Sequence, residues 1–461
     1  MEKKIYTVTD LGGGDGTKGS VVHKLCVLRH PNVVIKVGGT QGSHGVWTSR
    51  GERFNFSQFG CGTLEGVKTF ISKNFVVSPI GLINEANALR YENGIADPFS
   101  LLLVDGGALC TTPYHGRASR LKELARKDKP RSIVGVGAGE AFVDSKLFPE
   151  LAIRVSDLTS INLRQKLKKV REQKFSEIEL LSNDSFLVED LEKVKQEIEY
   201  FQDDEYLEWV LNQFVSLSKS LKVVDDKYFR DKILNHEGVA IIESSHGILT
   251  DYLYGFSPHT SRLRTLPEIN SWGLLNDYSY DGDVVNLGVT RAYQIKHGYG
   301  PFVVDDESMA KSLFPNEMEG FDRYRGKIRI GAVDTVMLKY AIDVCNGPKS
   351  FDGICLNWFD SAIKLGYWKI CTGYDNYDTK FFSKNGDILV THHDTEAQQI
   401  DYQKRLTESL YSCRPKITEY KVNQNISKNE IVDLCQILAE KINIPVRMIG
   451  LGPIENEKIL I

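Results

Sequence analysis

Short runs of β-branched and other apolar residues recur along the chain, and the segments between several of them show apolar residues at helical spacing. Such runs are typical of strands buried in a parallel sheet, and the intervening segments are typical of crossover helices. The predicted strands cover residues 5–9, 33–37, 75–77, 101–104, 133–136, 239–242, 354–356 and 388–390. The pattern therefore predicts an α/β fold with a large, mainly parallel central sheet.

Residues 158–235 have a different pattern. This segment is dense in Lys and Glu, and its apolar residues fall at helical spacing, as around Ile178 and around Val194. Charge of this kind is typical of a solvated face rather than of a binding surface. We expect a single domain over residues 1–461, with a helical subdomain over residues 158–235 inserted between strands of the sheet.

Composition narrows the class of protein. With 461 residues, of which 41% are hydrophobic, the chain can bury a large core. A net charge of −4 gives no strong attraction to nucleic acid or to anionic membranes. No apolar run approaches the roughly 20 residues of a membrane span, and the N-terminus leads into a strand rather than a signal peptide. We therefore expect a soluble, cytoplasmic enzyme.

The eight cysteines show no CxxC spacing, and most lie in apolar surroundings. We expect buried free thiols and no zinc site. The one dense group of potential metal ligands is His392, His393 and Asp394, which follows a predicted strand. A polar turn at a strand end is the favoured interpretation of these three residues over a metal site.

Two glycine-rich segments each follow a predicted strand and carry polar side chains suited to catalysis. The first, DLGGGDGTKGS over residues 10–20, contains Asp15 and Lys18, and the second, VGGTQGSHGV over residues 37–46, contains His44. Glycines let backbone N–H groups approach phosphate oxygens, the start of a following helix favours anions, and a lysine adds positive charge. The first segment is not a Walker A loop, because its lysine does not directly follow the closing glycine. Together, the two strand ends predict a site at one edge of the sheet.

Further motifs, taken in order, resemble those of the adenylosuccinate synthetase family over nearly the whole chain. Residues 13–20 resemble the family's WGDEGKGK, and residues 38–45 resemble its GGNNAGHT. The other matching segments are PYH at 113–115, IRVSDL at 153–158, ESSHGILTD at 243–251, YGFSPHTS at 254–261, GYGPF at 298–302, WKICTGY at 368–374 and GLGP at 450–453. The resemblance implies the family's fold, a triphosphate-dependent C–N ligase, Mg²⁺ as cofactor and a homodimer.

The reaction that this resemblance implies has two steps. A nucleoside triphosphate phosphorylates the 6-oxygen of a purine nucleotide, and the amine of L-aspartate then displaces that phosphate. Asp15 matches the base that removes the N1 proton, without which the 6-oxo group is a poor nucleophile. His44 matches the donor to the bridging oxygen, and Lys18 matches the residue that neutralises phosphate charge. Asp15 and the backbone near Ser43 match the metal site.

The resemblance also assigns residues to the substrates. The implied nucleotide-binding residues are Gly14, Gly16, Thr17, Gly19, Gln41, Arg154, His246, Thr260, Asn357 and Gly452. Among them, Thr260 and Arg154 match positions that hold the purine monophosphate, with the arginine reaching across from the second subunit of a dimer. A surface salt bridge is an equal alternative for Arg154. Arg325 and Arg329 match the loop that binds aspartate.

Three departures from the family motifs change the expected substrates. Asn357 stands where the family has an Asp that reads the guanine of GTP, so the guanine preference should weaken, and we expect ATP or another donor. His246 stands where the family has a Gln near the purine 6-position. The segment IVGVGAGE at 133–140 lacks a Thr and an Arg that contact the phosphate region in the family.

A segment of RGKIRIG at 325–331 is similar, apart from its first residue, to one in a divergent viral branch. That branch makes 2-aminoadenylosuccinate from dGMP, aspartate and ATP. It has a serine where this chain keeps Asp15, so the family's usual purine substrate remains an alternative for this chain. Three functions remain: an aspartate ligase for a purine (deoxy)nucleoside monophosphate, a phosphoryl-transfer or hydrolytic enzyme with a changed acceptor, and a non-catalytic nucleotide-binding regulator. Retention of Asp15, Lys18 and His44 favours the first.

Overall fold

A computed structural model of the chain describes residues 3–127, 129–315, 324 and 326–461. Its strands are β1 (Lys3–Asp10), β2 (Val33–Gly39), β3 (His44–Trp47), β4 (Arg53–Phe56), β5 (Lys68–Val77), β6 (Leu102–Asp105), β7 (Leu109–Cys110), β8 (Lys222–Val224), β9 (Gly238–Gly247), β10 (Asp283–Arg291), β11 (Gln294–His297), β12 (Ile328–Gly331), β13 (Val333–Asp334), β14 (Gly353–Asn357), β15 (Tyr367–Asp375), β16 (Arg414–Lys421), β17 (Val446–Gly450) and β18 (Lys458–Leu460).

The helices lie mostly between the strands of the large sheet. They are α1 (Lys18–Arg29), α2 (Pro79–Asn93), α3 (Pro113–Leu124), α4 (Ala138–Leu147), α5 (Leu163–Glu179), α6 (Leu191–Gln202), α7 (Asp204–Ser218), α8 (Asp226–Tyr228), α9 (Ser271–Asp277), α10 (Glu307–Leu313), α11 (Thr335–Val344), α12 (Asp360–Leu365), α13 (Glu396–Leu410) and α14 (Lys428–Ile442). Among the residues described, no helix is long and apolar enough to cross a membrane.

One sheet of eleven strands organises the molecule. Its order is β18-β17-β14-β10-β1-β9-β2-β5-β6-β8, and β7 also pairs with β5. Every pair in it is parallel except β17 with β18. The predicted α/β class with a mainly parallel sheet is confirmed. Parallel order brings the carboxyl ends of the central strands to one edge, where the glycine-rich loops lie.

Both faces of this sheet are covered. In β2, Val34 packs into the hydrophobic cluster that also holds residues of α1, α2 and α3, whereas Val33 and Ile35 pack into a second cluster with Phe229. All seven residues of β2 are buried. Alternate side chains point to opposite faces of a strand, so this sequence of consecutive apolar residues is what a strand buried on two faces requires.

Six predicted strands coincide, within a residue, with parts of β1, β2, β5, β6, β9 and β14. The prediction at residues 133–136 is wrong, because Ser132, Gly135 and Gly137 adopt positive φ angles of 69°, 79° and 86° and turn the chain into a loop. The prediction at 388–390 is also wrong, since Ile388 makes only an isolated bridge with Phe382.

The segment 158–235 contains the three helices α5, α6 and α7, and its last part contains β8 and α8. Strand β8 pairs with β6 at the edge of the large sheet. Buried residues of the helices, such as Leu167 and Phe214, belong to the same hydrophobic cluster as Val8 and Val34 of the sheet. The helices therefore share a core with the sheet, and the division of the chain into domains stays a prediction.

Candidate active site

A cavity of about 570 Å³ lies at the carboxyl ends of β1, β2, β9 and β10. The loops after β1 and β2, the loop before α4, residues 259–262 and strand β11 form its walls. Ten of the residues predicted for the site line it: Gly14, Asp15, Thr17, Lys18, Gly19, Gln41, Ser43, His44, His246 and Thr260. The structure thus brings both glycine-rich segments to one cavity.

Asp10, at the end of β1, organises the first glycine-rich loop. Its two carboxylate oxygens accept hydrogen bonds from the backbone N–H groups of Gly12 (2.8 Å) and Gly16 (2.7 Å). The ammonium of Lys18 lies 3.0 Å from the same carboxylate and donates to the carbonyl of His246 at 2.7 Å. Lys18 therefore faces the cavity from a fixed position, with its charge balanced by a buried carboxylate.

A close approach of two backbones brings Lys18 and His44 together. A Cβ atom on Gly19 would lie 2.8 Å from the carbonyl oxygen of Gly45 and 2.9 Å from Cβ of His44. Real Cβ atoms do not come this near, so only glycine lets the first turn of α1 pack against the loop that carries His44. The glycine at this position serves packing between the two segments.

A buried acid, Glu243, contacts His44 from the side of the protein core. Nδ1 of His44 lies 2.5 Å from Oε1 of Glu243, and the ammonium of Lys36 lies 2.7 Å from the same oxygen. The backbone N–H of Cys61 donates to the other oxygen of Glu243 at 2.9 Å. Lys36 is on β2 and Glu243 is on β9, so the two central strands fix the imidazole from the core. A carboxylate behind an imidazole sets its tautomer and its orientation.

Charges around this cluster determine its protonation. Burial, together with the positive charges of Lys36 and Lys18, lowers the pKa of His44 to about 4, against the opposing effect of Glu243. Burial raises the pKa of Glu243, but Lys36 and His44 outweigh it and hold this pKa well below its usual range. Glu243 is thus an anion and His44 is neutral before any ligand binds.

A group of possible metal ligands coincides with this cluster. His44, Cys61 and Glu243 have ligand atoms within 4.8 Å of one another and are the only such group of three in the described part of the chain. The ammonium of Lys36 already occupies the position beside Glu243 that a cation would take. The arrangement is that of a hydrogen-bonded ion cluster rather than of a metal centre.

Asp15 is at the mouth of the cavity in a left-handed backbone conformation, with φ of 61°. His297 Nε2 lies 3.1 Å from its Oδ2, and Arg291 donates a hydrogen bond to its backbone carbonyl. Burial opposes ionisation, but the hydrogen bond and charge of His297, with the charges of Arg291 and Lys18, hold the pKa of Asp15 far below its usual range. The carboxylate is ionised and can accept a proton or bind a cation.

His246 lines the cavity, and its backbone carbonyl accepts a hydrogen bond from Lys18. Among the residues that the structure describes, neither of its ring nitrogens has a hydrogen-bond partner, although both are buried, and its φ is 61°. Burial and the charges of Lys18 and His44 lower its pKa to about 3, so the ring is neutral. Buried polar atoms without partners are rare, and a strained residue that lines a cavity indicates a position kept for a ligand.

Asn357 lies beneath the glycine-rich loop, outside the cavity wall. Its Nδ2 donates to the carbonyl of Gly16 at 3.3 Å, and its buried Oδ1 has no partner within the described ranges. The next residue, Trp358, does line the cavity, and its indole N–H donates to the hydroxyl of Thr17 at 3.0 Å. The end of β14 therefore supports the loop directly.

The structure places four other predicted residues as follows. Gly16 and Gly452 do not line the cavity, and Arg154 is exposed and donates to the carbonyl of Gly107 at 2.6 Å. Arg329 donates to the carbonyl of Gly300 at 2.7 Å and is the register partner of Lys296, which does line the cavity. Arg325 lies outside the described residues.

Several polar residues of the site received no role from the sequence: Asp10, Lys36, Glu243, Arg291 and His297. Asp10 and Glu243 were inside recognised motifs. The signal that could have found Arg291 is its position at the end of an apolar strand, β10, which the sequence analysis did not predict. Nothing in the local pattern indicates that His297, nearly three hundred residues away along the chain, contacts Asp15.

Comparisons with known proteins assign the chain to a protein family. The family model described as adenylosuccinate synthetase matches residues 8–459. The adenylosuccinate synthetase of Wigglesworthia glossinidia brevipalpis is 26% identical, over 100% of this chain and 98% of its own length, and that of Pseudoalteromonas atlantica is 27% identical, over 100% and 99%.

Two solved structures share the fold. The fully ligated adenylosuccinate synthetase of Plasmodium falciparum matches with a TM-score of 0.74 at 16% identity, over 99% of both chains. The succinoaminodeoxyadenylate synthetase of cyanophage S-2L, bound to dGMP and to dATP as an energy donor, matches with a TM-score of 0.54 at 13% identity, over 100% of this chain and 96% of that one.

Proposed function

The chain belongs to the adenylosuccinate synthetase family of C–N ligases, and from that membership we propose that it joins L-aspartate to a purine nucleoside monophosphate, with either ribose or deoxyribose. A nucleoside triphosphate first phosphorylates the 6-oxygen of the purine, and the aspartate amine then displaces the phosphate. The observation that carries this proposal is that Asp15, Lys18 and His44 line one cavity of about 570 Å³.

In the first step, the carboxylate of Asp15 accepts the N1 proton, and the 6-oxygen attacks the γ-phosphorus. The bond from the 6-oxygen to phosphorus forms, the bond from phosphorus to the bridging oxygen breaks, and a nucleoside diphosphate leaves. Lys18 balances phosphate charge, and His44 donates to the oxygen on which charge builds. His44 is neutral in the ligand-free site, so the anionic phosphates supply the field that favours its protonated form.

In the second step, the amine of aspartate attacks C6, the new C–N bond forms, and inorganic phosphate leaves with the 6-oxygen. The proton that the amine gives up leaves with the phosphate. We assign the carboxylates of aspartate to Arg329 and Arg325, as the family resemblance implies. The support for Arg329 is its buried Nε, which has no partner in the described part of the chain, and its position beside Lys296 on the neighbouring strand.

We propose ATP rather than GTP as the phosphate donor. Oδ1 of Asn357 is an acceptor that has no partner among the described residues, and Nδ2 donates to the loop carbonyl of Gly16. One neutral acceptor suits the single amino group of adenine, whereas the N1–H and N2 amine of guanine together suit a carboxylate. The cyanophage enzyme of the same fold carries dATP as its energy donor, which agrees with this assignment.

The residues around Asp15 fit a magnesium ion. Mg²⁺ prefers oxygen ligands and is commonly bound by one or two carboxylates together with substrate phosphates. The ionised carboxylate of Asp15 and the exposed backbone near Ser43 offer such oxygens at the cavity. When bound there, the ion supplies positive charge to the transferring phosphoryl group. The family resemblance also implies a homodimer, which sedimentation of the purified chain would test.

A direct assay tests this function. The purified chain is incubated with Mg²⁺, L-aspartate, either ATP or GTP, and IMP, dIMP, GMP or dGMP, while phosphate release and the succinylated product are followed. We expect product with at least one acceptor, faster with ATP, and none with Asp15→Asn, whose side chain tolerates the same backbone conformation. Triphosphate hydrolysis without aspartate dependence would indicate a changed acceptor, and binding without turnover would indicate a regulatory protein. Either result would refute the ligase.

A further inference from the structure

Lys296, on strand β11, is a cation in the wall of the cavity that lacks an acidic partner. Its side chain is half-buried and lines the cavity. Among the residues that the structure describes, its ammonium makes no hydrogen bond and no ion pair. A half-buried ammonium has lost part of its hydration, and an anion bound beside it would compensate for that loss.

The residue opposite Lys296 in the two-stranded sheet is a second cation, Arg329. Strands β11 and β12 pair in antiparallel orientation, and these two residues are register partners. Side chains directly opposite each other have Cβ atoms about 5 Å apart, and like charges in such positions are destabilising. Burial and the charge of Arg329 lower the pKa of Lys296 from 10.5 to about 8, so the amine is still mainly a cation at pH 7. The strand pair therefore holds a repulsion that an anionic ligand would relieve.

The titratable groups around this pair do not neutralise it. His259 also lines the cavity, and burial, followed by the charge of Lys296, lowers the pKa of this histidine to about 4. The imidazole is therefore neutral, and its buried Nδ1 has no partner within the described ranges. Asp305 lies 3.9 Å from Nη1 of Arg329, which is too long for a hydrogen bond. One distant carboxylate thus serves two cations, and the cavity wall keeps a positive charge.

Lys296 is the member of the pair that a ligand in the cavity can reach, because Arg329 does not line the cavity. Nη2 of Arg329 donates to the carbonyl of Gly300 at 2.7 Å, and its buried Nε has no partner in the part of the chain that the structure describes. Buried donors without partners are rare in folded proteins, and they indicate positions that a ligand completes. The ligand that these donors favour is an anion with several acceptor oxygens.

The position of Lys296 along the chain points to the amino acid rather than to a phosphate. The next residue, His297, lies 3.1 Å from the carboxylate of Asp15, to which we assign the N1 proton of the purine. Consecutive Cα atoms are about 3.8 Å apart, so Lys296 is close to the same reaction centre. The amine of aspartate must reach C6, the ring atom next to N1, and its carboxylates are therefore held near Asp15. The triphosphate is assigned to Lys18 and the first glycine-rich loop.

We propose that Lys296 binds a carboxylate of the amino-acid substrate, as a cation additional to Arg325 and Arg329. The inference rests on the proposed function, because it takes a dicarboxylic amino acid as the source of the amine. A lysine is a compact point charge with three donors, which suits one carboxylate, and Arg329 adds positive charge beside it. Lys296 thereby favours an amino acid with two carboxylates over one with a single carboxylate.

Equilibrium binding tests the proposal without requiring turnover. L-aspartate, and succinate, which has both carboxylates but no amine, are titrated by calorimetry into the chain saturated with Mg²⁺, ADP and either IMP or GMP. Losing one charged hydrogen-bond donor should weaken binding about tenfold to a hundredfold. We expect this loss for Lys296→Met with both dicarboxylates, a smaller loss for Lys296→Arg, and unchanged affinity for IMP and GMP in both variants.

Steady-state kinetics and stability separate binding from folding. In the ligase assay, KM for L-aspartate should rise about tenfold to a hundredfold in Lys296→Met, while KM for ATP and for the acceptor stays within about twofold. Because Met removes the like charge opposite Arg329, the urea midpoint of this variant should equal or exceed that of the wild type. Lys311→Met is the matched control, since Lys311 is exposed and pairs with Glu307 on its own helix, α10, and it should change none of these values.

The outcomes distinguish this inference from the proposed function. If Lys296→Met binds L-aspartate and succinate like the wild type, or loses as much affinity for IMP and GMP, the inference is wrong, whatever the ligase assay shows. A lower urea midpoint with an equal loss of all ligands also overturns it. A loss confined to the two dicarboxylates, in a chain that makes no succinylated product, would support the role of Lys296 and refute only the ligase. If the wild type binds neither dicarboxylate, both fail.

Discussion

Nδ1 of His44 lies 2.5 Å from Oε1 of Glu243, a carboxylate with no solvent exposure on the central strand β9. This contact joins the cavity to the core, because the same oxygen binds Lys36 on β2. An imidazole without such a partner could adopt several orientations, whereas the buried anion selects one. The geometry of His44 is therefore a property of the sheet as much as of its loop.

Replacing Glu243 with Gln should damage both stability and activity. The substitution leaves the ammonium of Lys36 buried without its counter-ion, which typically costs about 3–5 kcal/mol in the free energy of unfolding. It also removes the anion that orients His44, so we expect kcat to fall by about tenfold to a hundredfold. Urea denaturation and the ligase assay measure the two effects.

The double variant Lys36→Met with Glu243→Gln is the control. Removing both charges eliminates the unpaired ion, so stability should return towards that of the wild type. Activity should stay low, because the imidazole still lacks its anionic partner. Recovery of activity together with stability would mean that Glu243 acts only through folding.

Gly19→Ala should lower activity by moving His44. The new methyl group would overlap the carbonyl of Gly45 and Cβ of His44, and a shift of about 1 Å at a catalytic group can cost a hundredfold in rate. Gly373→Ala is the matched control, because the nearest neighbour of its Cβ would be Cδ of Lys416 at 3.7 Å, an ordinary contact. Steady-state kinetics of the two variants should differ by at least tenfold, and equal rates would contradict the packing role of Gly19.

Asn357→Asp should shift the donor preference towards GTP. A carboxylate offers two acceptors to the N1–H and N2 amine of guanine. A site discriminates strongly between two bases when it leaves the hydrogen-bonding groups of one of them unpaired. We expect the ratio of kcat/KM for ATP to that for GTP to fall by about tenfold or more. Asn357→Ala should lower both values without reversing their order. An unchanged ratio in the Asp variant would place the donor base elsewhere.

Glu85 should make stability fall as pH rises. Burial raises its pKa from the ordinary 4.5 to about 7, although backbone N–H groups of Ser57, Gln58 and Phe59 and the charge of Lys36 oppose the shift. The folded chain then holds a proton that the unfolded chain has lost, so the free energy of unfolding decreases by about 3 kcal/mol between pH 4.5 and pH 7.

The variant Glu85→Gln cannot ionise, and its stability should therefore change less over this pH range than that of the wild type. Urea denaturation at pH 5 and pH 8 gives the two slopes. Glu92→Gln, an exposed position on the same helix, serves as the control and should keep the wild-type slope. A parallel slope for Glu85→Gln would show that other groups cause the dependence.

The central strands were predictable because their residues are apolar on both faces, as in β2, where every residue is buried. At residues 133–136, the same criterion, a continuous run of apolar residues, gave a wrong prediction. Their valines and isoleucine favour a strand, but Gly135 among them adopts a positive φ angle, and the segment forms a wall of the cavity. Local composition cannot tell an apolar loop from a short strand, because the difference depends on which neighbours supply hydrogen bonds.

By itself, the sequence determined the fold class, the family, and two glycine-rich strand ends with Asp15, Lys18 and His44, since these features are local patterns of apolar residues, glycines and charges. Only the tertiary structure decided that Glu243 and Lys36 hold His44, that His297 contacts Asp15, and that Arg131 and Arg262 line the same cavity. The physical reason is that hydrogen bonds, ion pairs and burial act between residues close in space, and parallel strand order sets which distant segments are close.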